Sequence, residues 1–258
     1  MKTINKRTKP SITNKTKKLT KQQLELVEVI YKFRFVTSSL VSEKYGRQSK
    51  AVMHRRLQLL QQQGILGMYY DGYMRLRGQP GSYYLLAQGI AALKAQSNSA
   101  HVSTRTLRAA YKDRTAKATF IHRSLVIFQL YNQFRRLYGA NISFSTKSNL
   151  TFEAFDYFPQ PLPDGFIRLK RSGTTTYYFL EYIDSHTTTV GMYKLVKKYS
   201  DYFENEEWSS RREGTPAVIL VCETDFIYKA IRRLVAASDA ENDMFIVLLN
   251  DRPEKALI

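Results

Sequence analysis

What most limits the folds open to this chain is a change in the spacing of its apolar residues near Ile142. Before that point apolar side chains recur every three or four positions, the period of helices with one buried face. After it come short alternating segments and two continuous apolar runs, Ala217 to Cys222 and Phe245 to Leu249, of buried-strand length. This predicts a mostly helical first unit and an α/β second unit with a mixed sheet flanked by helices, an α+β chain overall. No apolar run approaches the roughly 18 to 20 residues of a membrane helix, and the N-terminal lysines have no apolar stretch behind them, so neither membrane insertion nor a secretory signal is expected. The single cysteine, Cys222, excludes an internal disulfide framework and a multi-cysteine zinc site, and a reducing cytoplasm is the expected setting.

Charge divides the chain at nearly the same place. The 258 residues carry a net +18, but the first 150 hold 27 Lys+Arg against 5 Asp+Glu, and the rest hold 13 against 17. A basic excess of 22 on one part repels itself unless a polyanion is near, which points to nucleic acid. An anionic membrane surface is the weaker alternative, for want of a basic amphipathic helix with a strong apolar face. Residues 1–18 are polar, basic and helix-poor, and read as a disordered arm that tracks phosphates.

Within residues 19–95, Thr20 and Gln23 make a capping box before Leu24, Val27, Ile30 and Tyr31. Thr37 caps a second short helix closed by Gly46. Ser49 opens a third, with Val52, Leu57, Leu59 and Leu60 on its apolar side and Lys50, His54, Arg55 and Arg56 opposite. Two strands, 65–70 and 82–86, flank a Gly-rich basic turn with Arg75 and Arg77. Three helices and a two-stranded wing predict a winged helix-turn-helix bound to double-stranded DNA through Gln48, Ser49, Lys50, Arg55, Arg75 and Arg77. A basic linker at 96–118 then leads to a long amphipathic helix over 120–137, in which His122 is expected in the core.

In residues 119–258 the acids carry the chemistry. Pro163-Asp164 begins one strand and Glu181-Tyr182-Ile183-Asp184 ends the next, across a hairpin at 171–174, so Asp164 and Glu181 fall on neighbouring strands. Carboxylates brought together repel unless a proton or a divalent cation lies between them, and an oxygen-rich site suits magnesium or manganese. There is no His-x-His pair and no Gly-rich phosphate loop with its lysine.

Pro163-Asp164 with Glu181 on the next strand resembles the PD-(D/E)xK nuclease core, a restriction-endonuclease-like fold. The longer string Leu162-Pro-Asp-Gly, Tyr178-Phe-Leu-Glu-Tyr-Ile-Asp-Ser, Lys194-Leu-Val-Lys-Lys-Tyr199 and Tyr202 resembles the plasmid replication-relaxation family, which is similar to the C-class mobilization relaxases. That resemblance implies a metal-dependent nicking endonuclease at a transfer or replication origin, working with relaxosome or replication proteins. It assigns metal ligation to Asp164, Glu181 and the Tyr182 main-chain carbonyl. Ile183 departs from the motif, which asks for lysine. Either the core is inactive, leaving a replication accessory factor or transcription regulator, or Lys194 or Lys198, four apart on the following helix, replaces that lysine. Asp184 is a further site candidate, and Tyr199 and Tyr202 are read as packing residues.

Overall fold

Side-chain caps set the first helices. The structure, a computed structural model, describes residues 18–46, 49–96, 108, 110–150, 155–205, 208, 214–238 and 244–251. Most of the expected arm, Gln48 and much of the 96–118 linker lie outside them. Thr20 and Gln23 close the capping box (3.0 and 3.3 Å) ahead of α1 (Lys21–Phe33). Thr37 accepts from Leu40 N at the start of α2 (Ser38–Tyr45), and Ser49 accepts from Val52 N at the start of α3 (Lys50–Gln62).

The buried side of α3 is Met53, Leu57 and Leu60, while Val52 and Leu59, expected to be buried, are exposed. Positions 53, 57 and 60 share one face, and 52 and 59 lie about 100° round from it. Strands β1 (Leu66–Tyr69) and β2 (Ser82–Leu85) pair antiparallel. Their connection, expected as a plain turn, holds α4 (Gly72–Leu76), because Asp71 accepts from Met74 N at 2.8 Å and nucleates a helical turn. Val36 joins this small sheet through two backbone bonds with Tyr83, at 3.0 and 2.8 Å. Helix α5 (Ala87–Gln96) follows.

Helix α6 (Ala118–Tyr138) buries Ile121, Val126, Ile127, Phe128, Leu130 and Phe134, but Leu137 is exposed, and so is His122, which was expected in the core. It packs on α1 and α2 as well as on strand β3 (Ile142–Thr146), so its buried surface is wider than a single amphipathic stripe. Strand β3 stops at Thr146, whose carbonyl accepts from Asn149 N and Leu150 N in a turn; residues 151–154 lie outside the described set. Strands β4 (Gly165–Arg171) and β5 (Thr174–Ile183) form the expected hairpin, with Ser172 and Gly173 both at positive φ as a type I′ turn requires. Helix α7 (Thr189–Glu204), strand β6 (Ala217–Cys222), helix α8 (Asp225–Ala236) and strand β7 (Phe245–Leu249) complete the order.

The sheet runs β3-β4-β5-β6-β7, antiparallel in its first two pairings and parallel in its last two. It is the expected mixed sheet flanked by helices in an α+β chain. Alternation sends Tyr178, Leu180 and Tyr182 to one face, in one core with residues of α1, α3, α5 and α6. Phe179 and Ile183 point to the other, against Met192, Val196 and Tyr199 of α7 and Ile227 and Ile231 of α8. The first core continues from Leu19 to Leu248, so the helical part and the sheet share it.

Candidate functional site

The hairpin register places the acids. Gly165 pairs with Leu180, so Asp164 comes level with the end of β5, where Tyr182 N donates to its Oδ2 at 3.0 Å. A Cβ on Gly165 would lie 2.9 Å from Phe144 Cζ and 3.3 Å from Leu180 Cδ2, so the side chains of Phe144 and Leu180 pack over this glycine beside Asp164. Glu181, on the α7 face of β5, is 4% exposed and Asp164 5%. Two buried carboxylates this close require compensation, and cations supply it.

Arg123, from the first turns of α6, donates to Asp164 through Nε (3.1 Å to Oδ1) and Nη2 (2.5 Å to Oδ2). The same guanidinium lies 3.9 Å from Glu181 Oε2 and 3.5 Å from Asp184 Oδ2. Lys147, in the turn after β3, reaches Asp164 Oδ1 at 2.8 Å. On the α7 side, Lys198 Nζ donates to Glu181 Oε1 at 2.7 Å and to the Pro161 carbonyl at 3.1 Å, and Tyr199 OH donates to the same Oε1 at 2.9 Å.

Burial alone would raise the Asp164 carboxyl, but Lys147 and Arg123 overcome it and hold the group below its ordinary range. Burial acts to lower Arg123, and Asp164, Glu181 and Asp184 more than offset that and raise it. Burial, with Glu181 beside it, raises the Tyr199 phenol well above its usual value, so this tyrosine is a fixed donor to the carboxylate.

Of the expected catalytic residues, Asp164, Glu181, Asp184 and Lys198 come together, Asp184 at the margin, where its Oδ1 accepts from His186 N and Thr187 Oγ1. Lys194 lines the same cavity, of about 480 Å³, from an exposed position one turn earlier. Ile183 is buried against α7, which explains its identity: on this face the strand packs and the helix brings the cation. Strand geometry puts the Tyr182 carbonyl on the same side of β5 as its amide, which bonds Asp164, whereas the Ile183 carbonyl is taken by Glu223 N. Tyr202 packs as expected, its hydroxyl on the Tyr157 carbonyl. His122 sits at the surface with Nε2 3.3 Å from Glu223. Cys222 is buried, its thiol pushed up to about 12 by burial.

Arg123 and Lys147 were not anticipated. The available signal is that α6 contains no acidic residue at all, so Arg123 has no partner along its own helix and must find one across the fold. In the first unit, Lys50, Arg55, Arg75 and Arg77 are exposed, and Ser49 spends its oxygen capping α3.

The molecule is thus an α+β protein with a buried carboxylate pair at the ends of two central strands, faced by cations from two helices and a turn. Residues 27–218 match the family model described as replication-relaxation, most of the chain, and the chain belongs to that family. No curated protein matches it. Among solved structures, restriction endonuclease FokI aligns over 90% of this chain and 43% of its own length, at a TM-score of 0.34 and 11% identity. FokI bound to DNA aligns with the same coverage, at 0.31 and 12%. The chain spans less than half the length of these structures, and similarity at this level carries no argument about chemistry.

Proposed function

We propose that the chain binds duplex DNA through its basic helical part and nicks a phosphodiester at the Asp164–Glu181 site with the help of a divalent cation, at the origin of a plasmid or other mobile element in the cytoplasm. The observation that carries this reading is the 2.7 Å contact between Lys198 and Glu181 beside Asp164. It supports α7 as the source of the lysine that Ile183 cannot be. In this reading residues 1–18 are a basic arm, 19–95 a winged helix, 96–118 a linker and 119–258 the nuclease-like part, with Gln48, Ser49, Lys50, Arg55, Arg75 and Arg77 at the DNA.

The donor set suits a hard cation: two carboxylates and the Tyr182 carbonyl, all oxygen. No cluster of three or more His, Cys, Asp or Glu residues disposed to hold a metal occurs among the described residues, so the carbonyl or water must complete any such site. Magnesium or manganese bound there supplies a Lewis acid for the phosphoryl oxygen. Lys198 orients the attacking water and offsets charge on the phosphate, Tyr199 fixes Glu181, and Arg123 draws Asp164, Glu181 and Asp184 into one cluster.

One observation favours a second reading, a DNA-binding accessory factor without catalysis: the three acids are already matched by Arg123, Lys147 and Lys198. Supercoiled plasmid carrying the cognate origin, incubated with the protein and magnesium or manganese, separates the two. Nicking by the intact chain that Asp164→Asn and Glu181→Gln abolish, with DNA binding retained, is expected. Binding without nicking in either metal would leave the accessory factor.

A further inference from the structure

Asp164 has no acceptor position left. Its two oxygens take four hydrogen bonds, from Arg123 Nε, Arg123 Nη2, Lys147 Nζ and Tyr182 N, which is the full capacity of a carboxylate. A cation that ligates Asp164 must therefore displace a donor. The Tyr182 amide is fixed in the strand, but the Lys147 side chain is 49% exposed, that of Arg123 is 29% exposed, and both border the cavity over Glu181.

We infer that Arg123 and Lys147 are exchangeable counter-ions: they hold Asp164 until a divalent cation takes it, and the freed guanidinium then pairs with the phosphodiester. This rests on the metal-dependent reading above. Charge argues for the exchange. Three carboxylates against three side-chain cations make the cluster neutral, so a dication entering without displacement leaves a buried excess of two positive charges. Releasing Arg123 and Lys147 toward the cavity removes that excess from the carboxylates. It also leaves two cations beside the place where the monoanionic phosphodiester would meet the ion, and the planar fork of Arg123 suits its two non-bridging oxygens bidentately. Arg123 is then a positioning residue before the cation binds and a phosphate ligand afterwards.

The test is a manganese titration of the full chain, following the free-ion electron paramagnetic resonance signal, for the intact protein, Arg123→Met, Lys147→Met, Lys194→Met and Asp164→Asn. One charge beside a carboxylate changes its preference for a cation by on the order of tenfold. Arg123→Met is expected to bind manganese about tenfold more tightly and Lys147→Met about threefold, with nicking by Arg123→Met nonetheless reduced. Lys194→Met, on the same cavity but not among the donors to Asp164, sets the effect of removing any nearby charge and is expected to change little. If Arg123→Met does not fold, Lys147→Met, a half-exposed site, decides alone. Manganese affinity equal in the intact chain and in these two variants, or raised no more than by Lys194→Met, overturns the exchange while the metal reading stands. No manganese bound by the intact chain or any variant removes the metal reading itself, and the exchange with it.

Discussion

Each part of the molecule buries an aspartate against an arginine, and the two pairs behave differently. In the helical part Arg34, just past the end of α1, holds Asp113 through Nε at 2.9 Å and through a second bond from Nη2. Burial outweighs Arg34 there, and the Asp113 carboxyl is raised. In the sheet part Asp164 is equally buried, yet Lys147 and Arg123 together reverse the balance and lower it. One arginine suffices to pin a loop. The second cation and the strand amide at Asp164 exceed what pinning needs, and they mark this carboxylate as one kept charged.

The largest effect that would break the comparison is on the nicking proposed above. Lys198→Met is expected to reduce it at least a hundredfold, the scale of losing one charged group aimed at the reacting phosphate, and Lys194→Met by less than tenfold. Equal losses would remove the distinction between a lysine bonded to Glu181 and one that only lines the cavity.

Acid titration tests the pair itself. A carboxyl whose folded pKa is depressed contributes stability above its unfolded pKa and loses it as the pH falls through the folded value. Asp164→Asn is therefore expected to cost on the order of 2 kcal/mol at neutral pH, with the gap to the intact chain closing below the ordinary carboxylate range. Asp113 has the opposite sign: its contribution is present below the unfolded pKa and lost as the pH rises through its raised folded value. Urea unfolding from pH 2 to 7 of both Asn variants reads the two slopes.

A third, half-buried charge extends the contrast. Lys32 of α1 is ringed by Phe33, Tyr131 and Phe144 and donates to the Phe144 carbonyl at 2.5 Å. Burial, then Lys44 and Arg135, lowers it to about 8. Between pH 8 and its ordinary 10.5 the unfolded chain binds the proton that the folded chain has released, so stability rises with pH over that window. Lys32→Met is expected to stabilise the protein at pH 7 by about 1 kcal/mol, with the advantage shrinking as the pH passes 8. A constant difference across that range would exclude a buried charge as its cause.

The smallest effects belong to the exposed cations. Arg55→Ala and Arg75→Ala are each expected to weaken duplex binding a few-fold and to reduce the slope of log affinity against log salt by about 1. Slopes unchanged by either substitution would move the DNA off α3 and α4.

Local chemistry explains what could be read from residues alone. Thr20, Thr37 and Ser49 cap where expected because each cap is settled within three residues, and the β4–β5 hairpin follows from Ser172-Gly173 between alternating strands. Asp164, Glu181 and Lys198 were legible for the same reason, since a hairpin and a helix period relate them. Arg123 and Lys147 were not, because no hairpin or motif relates them to Asp164 and their bonds depend on how α6 and the turn after β3 dock on the sheet. Nor did the pattern of α6 disclose that it is covered on more than one side, since a periodicity argument assigns one wet face and one dry one. Val52 and Leu59 show the converse error, apolar identity counted without its angle on the helix.

The core shared by the helical part and the sheet has a mechanical corollary. Lys32 bonds Phe144 through its side chain and accepts from Thr146 Oγ1 at 2.6 Å through its carbonyl, riveting α1 to the edge strand β3. A body fastened in this way works as a caliper. In the reading proposed above, where α3 grips the duplex, the distance from that grip to Asp164 is set by the fold and not by a tether, so after an insertion of five base pairs between the bound sequence and the nick the cut is expected to stay at its original distance from the bound sequence.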